Sequence, residues 1–179
     1  WHSRYTISKA EVEELDAGAR RFSNEAKSIT ICPPGEDLSD LVLMVDSRPE
    51  FKGKFRQDGQ PWPHLLVEQA IANCPSMAEL KSLKFYIEAR LIEAECNMGE
   101  GYRPSSHTAQ VPFVLTIQNC SNKSPGYGDF GWFIIPLYDH RYRDWPEYIA
   151  QDTADPSQKM IYTPGAKACG VKSLHDREW

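Results

Sequence analysis

The densest run of chemistry-bearing residues in the chain is Tyr138-Asp139-His140-Arg141-Tyr142-Arg143-Asp144-Trp145. It stands where an apolar stretch gives way to a polar one, and the ends of strands on a rigid scaffold are common binding positions. His140 is an imidazole, the side chain suited to acid or base work near neutral pH, with Tyr138 as a second proton-transfer candidate. Arg141 or Arg143 can clamp a carboxylate. The plainer alternative is an Arg–Asp network that pins a long loop. A second group, Glu93, Glu95 and Glu100, comes just after the alternating stretch Leu83–Leu91. Glu93 and Glu95 share a face if the backbone there is extended. Such a pair suits glycoside hydrolysis, or calcium binding together with Asp129. The plainer alternative is a charged rim.

Other signatures are missing. No serine sits in GxSxG, and Gly126-Tyr127-Gly128 is too short for a phosphate loop. His64, His107 and His175 are isolated in sequence, without HxH or HExxH spacing, so no metal site is expected from them. The five cysteines, Cys32, Cys74, Cys96, Cys120 and Cys169, form no CxxC. They read as buried thiols, or as one or two disulfides of an exported protein. Asn119-Cys120-Ser121 and Asn122-Lys123-Ser124 are formal glycosylation sequons.

The elements that must position these residues are mostly strands. Ser28–Cys32 and Leu41–Val45 are β-rich, the latter a continuous apolar run expected to be covered on both faces. His64–Ile71 is a further candidate. Over Leu80–Cys96, Leu83, Phe85, Ile87, Ala89 and Leu91 alternate with Lys84, Tyr86, Glu88 and Arg90. That pattern predicts a half-buried strand, with a helix as the alternative because of the Ala and Glu content. Val111–Ile117 and Phe130–Tyr142 alternate likewise, separated by the turn-rich loop Asn119–Asp129. Pro112 places its strand at a start or an edge. Lys159–Thr163 reads as a short strand after a polar loop over Arg143–Gln158. One helix is expected at Ser8–Phe22: Ser8 and Glu11 suit a capping box, and Val12, Leu15, Ala19 and Phe22 form one stripe. A shorter one is expected at Ser76–Lys81. Trp62, between two prolines, reads as a loop plug or a ligand platform.

The fold class expected is mainly β: an antiparallel β-sandwich, jelly-roll-like, with one N-terminal helix. Residues 1–179 are read as a single domain, cut from a longer chain if the abrupt ends at Trp1 and Trp179 are taken at face value. If the three long strands are neighbours, their outer residues line one surface: Tyr86, Glu88 and Arg90, then Gln118, then Trp132, Tyr138 and His140. Rings interleaved with fixed donors and acceptors suit sugars, whose C–H faces stack and whose hydroxyls need partners. The bland alternative is a solvated sheet face.

Composition narrows the classes. The 179 residues carry 20 Lys and Arg against 25 Asp and Glu, a formal charge of −5. An acidic chain lacks the basic face of a duplex binder, so no nucleic-acid partner is expected. No apolar run approaches the ~20 residues of a membrane helix. With 41% hydrophobic and 25% charged residues the chain is not of disordered type.

The stretch Val111–Arg143, with VPFVLTIQN, PGYGDF and WFIIPLYDHR, resembles the strand–loop–strand core of concanavalin A-like, jelly-roll β-sandwich domains. The resemblance implies an exported bacterial protein that binds or processes polysaccharide. No family catalytic residue maps onto this chain, which lacks the ExDxE strand of laminarinase-like glycosidases. The expectation is therefore a secreted or periplasmic carbohydrate-binding domain, with a cytoplasmic location as alternative. A polysaccharide hydrolase or lyase using the same face, and a structural or protein-interaction domain, are the other readings.

Overall fold

The computed structural model describes residues 9–33, 41–71, 76–152, 159–170 and 173–176. The chain forms two compact units, Trp1–Leu83 and Lys84–Trp179. It is mainly β, with a four-stranded antiparallel sheet in the first unit and a four-stranded mixed sheet in the second.

The first unit is a meander of β1 (Glu11–Glu14), β2 (Arg20–Ser23), β3 (Lys27–Ile31) and β4 (Leu41–Val45). The expected N-terminal helix is thus replaced by a hairpin; Ser8 lies outside the described residues. The reason is a symmetry in the apolar stripe. Positions 12, 15, 19 and 22 are spaced evenly about residue 17, so they match a helix face and also a hairpin centred there. In the hairpin Val12 opposes Phe22, and Leu15 N–H donates to the Ala19 carbonyl at 2.8 Å. The turn settles the choice. Ala17 and Gly18 adopt φ of 59° and 78°, the left-handed region that a helix interior excludes. The acidic residues gain cross-strand partners: Glu13 opposes Arg21 and Glu14 opposes Arg20, the latter pair 2.9 Å apart. Replacing Gly18 by Val puts a branched side chain at positive φ and is expected to cost about 1–3 kcal/mol. Faster amide exchange at Leu15, whose N–H spans the hairpin, would register it.

Register brings Val12, Phe22, Ile29 and Leu43 into one row across all four strands. β4 is an edge strand, and Leu41, Leu43, Met44 and Val45 are exposed, so it is not covered on both faces as its composition suggested. The interior of this unit is instead anchored by an ion pair. Lys27 Nζ lies 2.8 Å from Glu50 Oε1, with both side chains almost fully buried. His64–Ile71 forms no strand, and residues 76–79 make only one turn, closed by Glu79 N–H on the Ser76 carbonyl.

The second unit is built on β5 (Gln110–Gln118) and β6 (Phe130–Asp139), long antiparallel neighbours joined by the expected loop. β7 (Tyr148–Gln151) lies inside the segment read as a loop, and β8 (Met160–Thr163) follows it. The sheet order is β5-β6-β8-β7, with β8 parallel to β6. That parallel pairing corrects the all-antiparallel expectation. A short helix, α1 (Ala166–Cys169), and a turn at Leu174–Asp176 come after it.

Asn119 N–H donates to the Asp129 carbonyl, and the Ala109 carbonyl accepts from His140 N–H. Odd-numbered residues of β5 therefore bond to β6, and even-numbered ones face outward. Pro112 and Pro136 oppose each other at a position that contributes no bond to this pair, which is why the ladder tolerates both.

Residues 82–98 form neither strand nor helix. The alternation in this segment still governs what it touches. Ala89 and Leu91, with Phe113, pack against the buried cluster Leu137, Tyr138 and Leu174, and the Phe85 and Phe113 rings lie 5.7 Å apart. On the other side Tyr86 hydroxyl donates to Glu88, both exposed. The segment is a cover for the sheet, not a member of it.

Candidate functional site

The site begins with a β-bulge. Pro112 opposes Pro136, but Val111 opposes Tyr138, so Leu137 is an extra residue on β6. A bulge re-aims the side chains beyond it. Simple alternation would put Tyr138 on the face of Trp132. The bulge instead turns it into the cluster with Leu137 and Leu174, where it is 5% exposed. Its hydroxyl reaches His140 Nδ1 at 3.2 Å.

Asp139, 2% exposed, is the hub of the strand exit. Arg141 donates from Nε to Oδ1 at 2.9 Å and from Nη2 to Oδ2 at 2.6 Å, and its backbone N–H also reaches Oδ1. Gln110 Nε2 donates to Oδ2 at 2.6 Å, and Thr108 hydroxyl lies 3.5 Å from Oδ1. The expected Arg–Asp network is therefore present, and it fixes the guanidinium by one edge. Burial pushes the Asp139 carboxyl up, but the Arg141 side chain and backbone, Gln110 and the Arg141 charge outweigh it and hold it below the usual range. A carboxylate with a lowered folded value stabilises the fold above the ordinary value of ~3.9 and loses that contribution as pH falls through the folded value. Asp139→Asn is expected to flatten the acid limb of stability below about pH 4. Urea midpoints measured across that range for both proteins check it, and equal slopes would contradict it.

Rings continue the site outward. His140 packs edge-on against Tyr102, centroids 5.5 Å apart, and Tyr102 also neighbours His107 at 6.4 Å. Arg103 N–H donates to His107 Nδ1 at 2.9 Å, so that nitrogen is the acceptor and the ring proton sits on Nε2. Burial raises the Tyr102 hydroxyl, with the Cys96 charge acting in the same direction. On the inner side the Tyr138 ring lies 4.8 Å from the His175 ring, and His175 Nδ1 is 2.6 Å from the Ser173 hydroxyl. His107, Tyr102, His140, Tyr138 and His175 thus form one continuous array. Arg141 extends over Tyr142 beside it, 5.1 Å from the ring.

Of the residues singled out in the sequence, this array joins Tyr138, His140 and Arg141. It does not include the rest. Trp132 opposes Thr116 on the other face of the sheet, with the buried Lys159 ammonium 4.6 Å from its ring; Lys159 is itself paired with Asp152 at 3.1 Å. Gln118 is exposed at the far end of β5, donating to the Gly128 carbonyl. Tyr86, Glu88 and Arg90 are exposed on the segment that covers the face of Phe113, away from Trp132. The three sets do not share one surface, because residues 82–98 join no ladder. Glu93 and Glu95 are exposed, and Glu95 accepts from Asn97 at 3.3 Å. Trp62 is stacked under the Arg56 guanidinium, 3.8 Å away, as a loop plug would be.

Tyr102 carries no signal in the sequence, and His107 and His175 stand there only as isolated histidines without metal-site spacing. Each is isolated in the chain, and only the folded array gives them neighbours. Among the described residues no three carboxylate, imidazole or thiol groups gather as a metal-ligand set, and Cys32, Cys96, Cys120 and Cys169 are free. No helix among them is long and apolar enough to cross a membrane. Comparison with protein-family models, curated proteins and solved structures finds no significant match.

Proposed function

We propose that the second unit is a carbohydrate-binding β domain whose site is the array at the exit of β6, centred on Tyr102, His140 and Arg141. The observation that carries this is the half-exposed Tyr102–His140 ring pair beside a guanidinium held on one edge by Asp139. The Asp139 bonds use Arg141 Nε and Nη2, which directs Nη1 away from that carboxylate. Rings offer surfaces for sugar C–H faces, and a fixed donor suits a hydroxyl or a uronate carboxylate. Preorganisation lowers the entropy cost of binding. The jelly-roll-like sandwich and the exported location belong to the same reading, supported by the texture of Val111–Arg143 and the long β5–loop–β6 pair.

A screen of neutral and uronate-containing polysaccharides, with and without calcium, tests it. Saturable binding weakened in Tyr102→Ala and retained in Trp132→Ala is the expected result. Binding lost only in Trp132→Ala would move the site to the other sheet face.

A second reading is favoured by one distance. Tyr138 hydroxyl and His140 Nδ1, 3.2 Å apart, form a proton-transfer pair next to Arg141, as an eliminative or hydrolytic enzyme on an acidic polysaccharide would need. His140→Ala separates the two: it abolishes chain cleavage in an enzyme and only weakens binding in a module.

A further inference from the structure

The sheet of the second unit ends on one side at β5, nine residues with no charged side chain: Gln-Val-Pro-Phe-Val-Leu-Thr-Ile-Gln. Its odd-numbered residues bond to β6, so Gln110, Val114, Thr116 and Gln118 direct their N–H groups outward, and Pro112 only its carbonyl. Among the described residues no backbone hydrogen bond reaches this outer edge. Val111, Val114 and Ile117 are exposed along it. Native sheets ordinarily guard such an edge with charge, bulges or cover; here the bulge lies on β6, and Pro112 is the only guard on β5.

We propose that β5 pairs antiparallel with β5 of a second copy of this chain, about a two-fold axis at Val114. The argument is the sequence of the strand itself. Read backwards from Gln118, it repeats its own chemistry: Gln opposes Gln, Val111 opposes Ile117, Pro112 opposes Thr116, Phe113 opposes Leu115, and Val114 opposes Val114. An isologous interface requires this self-complementarity, since each residue meets its counterpart on the same surface patch. Aromatic–aliphatic and β-branched pairs directly across a ladder are the favourable ones. The even-numbered residues that face outward are the ones a two-fold at Val114 makes into bonded pairs. Only the missing Pro112 N–H is lost, which leaves the Thr116 carbonyl of the opposing strand without that donor. A strand from elsewhere in the same unit is not the better occupant. Among the described residues, the extended segment 82–98 uses Phe85, Ala89 and Leu91 to cover the face of Phe113 and Leu137 rather than the edge. A ladder of this length with few flanking contacts stands at the weak end of specific interfaces, so the dimer forms with rising concentration.

Sedimentation velocity and amide hydrogen exchange of the 179-residue chain, each over a concentration series, test this. The expected mass rises from 20.4 kDa toward twice that value. The amides of Val114, Thr116 and Gln118 gain protection in step with the mass, while those of Phe113, Leu115 and Ile117 are protected throughout. Val114→Lys sets two ammonium groups against each other at the axis, and Val114→Pro removes the two central bonds. Each is expected to weaken dimerisation about tenfold or more. Unchanged protection at Phe113 and Leu115 would show that either variant still folds. A monomer at every soluble concentration with open Val114 and Thr116 amides would overturn the proposal. Protected outward amides at monomer mass would also overturn it, by placing a segment of the same chain on the edge. A dimer insensitive to both variants would assign the interface to another surface.

Discussion

Glu50→Ala is expected to destabilise the first unit by about 3–5 kcal/mol, the cost of removing one member of a buried ion pair. Lys27 and Glu50 meet at 2.8 Å with side chains 2% and 6% exposed. Both charges have left water, and neither can recover its hydration while the fold persists. Their mutual attraction offsets that desolvation; either charge by itself does not. Lys27 also closes the β2–β3 turn, where its backbone N–H and that of Ala26 donate to Asn24 Oδ1 at 3.0 Å. The loss therefore falls on the centre of the meander. Replacing both partners by apolar residues of similar volume, Lys27→Met with Glu50→Leu, is expected to recover most of the stability. Exchange of the Ile29 and Met44 amides, both directed into the ladder, reads this unit alone. A loss under about 1 kcal/mol in Glu50→Ala would show that the pair is hydrated in solution.

Trp145→Ala is the corresponding substitution in the second unit, with an expected cost of about 3–5 kcal/mol. The ring is 4% exposed, and its Nε1–H donates to the Pro164 carbonyl at 2.9 Å. The Trp145 carbonyl accepts from Ala166 N–H at 3.0 Å, tying the loop after β6 to the first residue of α1. This loop starts with His140, Arg141 and Tyr142, so the same substitution is expected to loosen the proposed site at the exit of β6. Trp145→Phe separates the contributions. It keeps most of the packing, removes the hydrogen bond and is expected to cost about 1–3 kcal/mol. Denaturant midpoints give the stability, and exchange at His140 and Ala166 gives the local loosening. Wild-type stability in Trp145→Ala would contradict the assignment of this ring as the anchor.

The strands β3, β4, β5, β6 and β8 were legible because their apolar alternation or runs stop at strong turn residues. Residues 119–129 read as a loop for the same reason. The hairpin of β1 and β2 was not, because a stripe symmetric about Ala17 satisfies two periods at once; the small residues Ala17 and Gly18 held the deciding information. For residues 82–98 the alternation reported which side chains face apolar neighbours and nothing about a ladder partner. Period two requires only an extended backbone. β7 was hidden by its short length and its exposed, polar surroundings.

The site was half legible. The cluster from Tyr138 to Arg141 announces itself by composition, and the Arg141–Asp139 network follows from its charges. The bulge at Leu137 has no local signature, yet it decides which way Tyr138 points. That single extra residue separates Tyr138 from Trp132 and delivers it to His140 and His175. Tyr102, His107 and His175 enter through tertiary packing alone.

The most direct test of the proposed carbohydrate site is a polysaccharide titration followed through the imidazole signals of His140, His107 and His175, spread over neutral and uronate-containing probes. The site at the exit of β6 requires one class of probe to shift His140 saturably, with the response lost in Tyr102→Ala. Saturable binding that leaves all three imidazoles unmoved, or no binding by any probe, would contradict it.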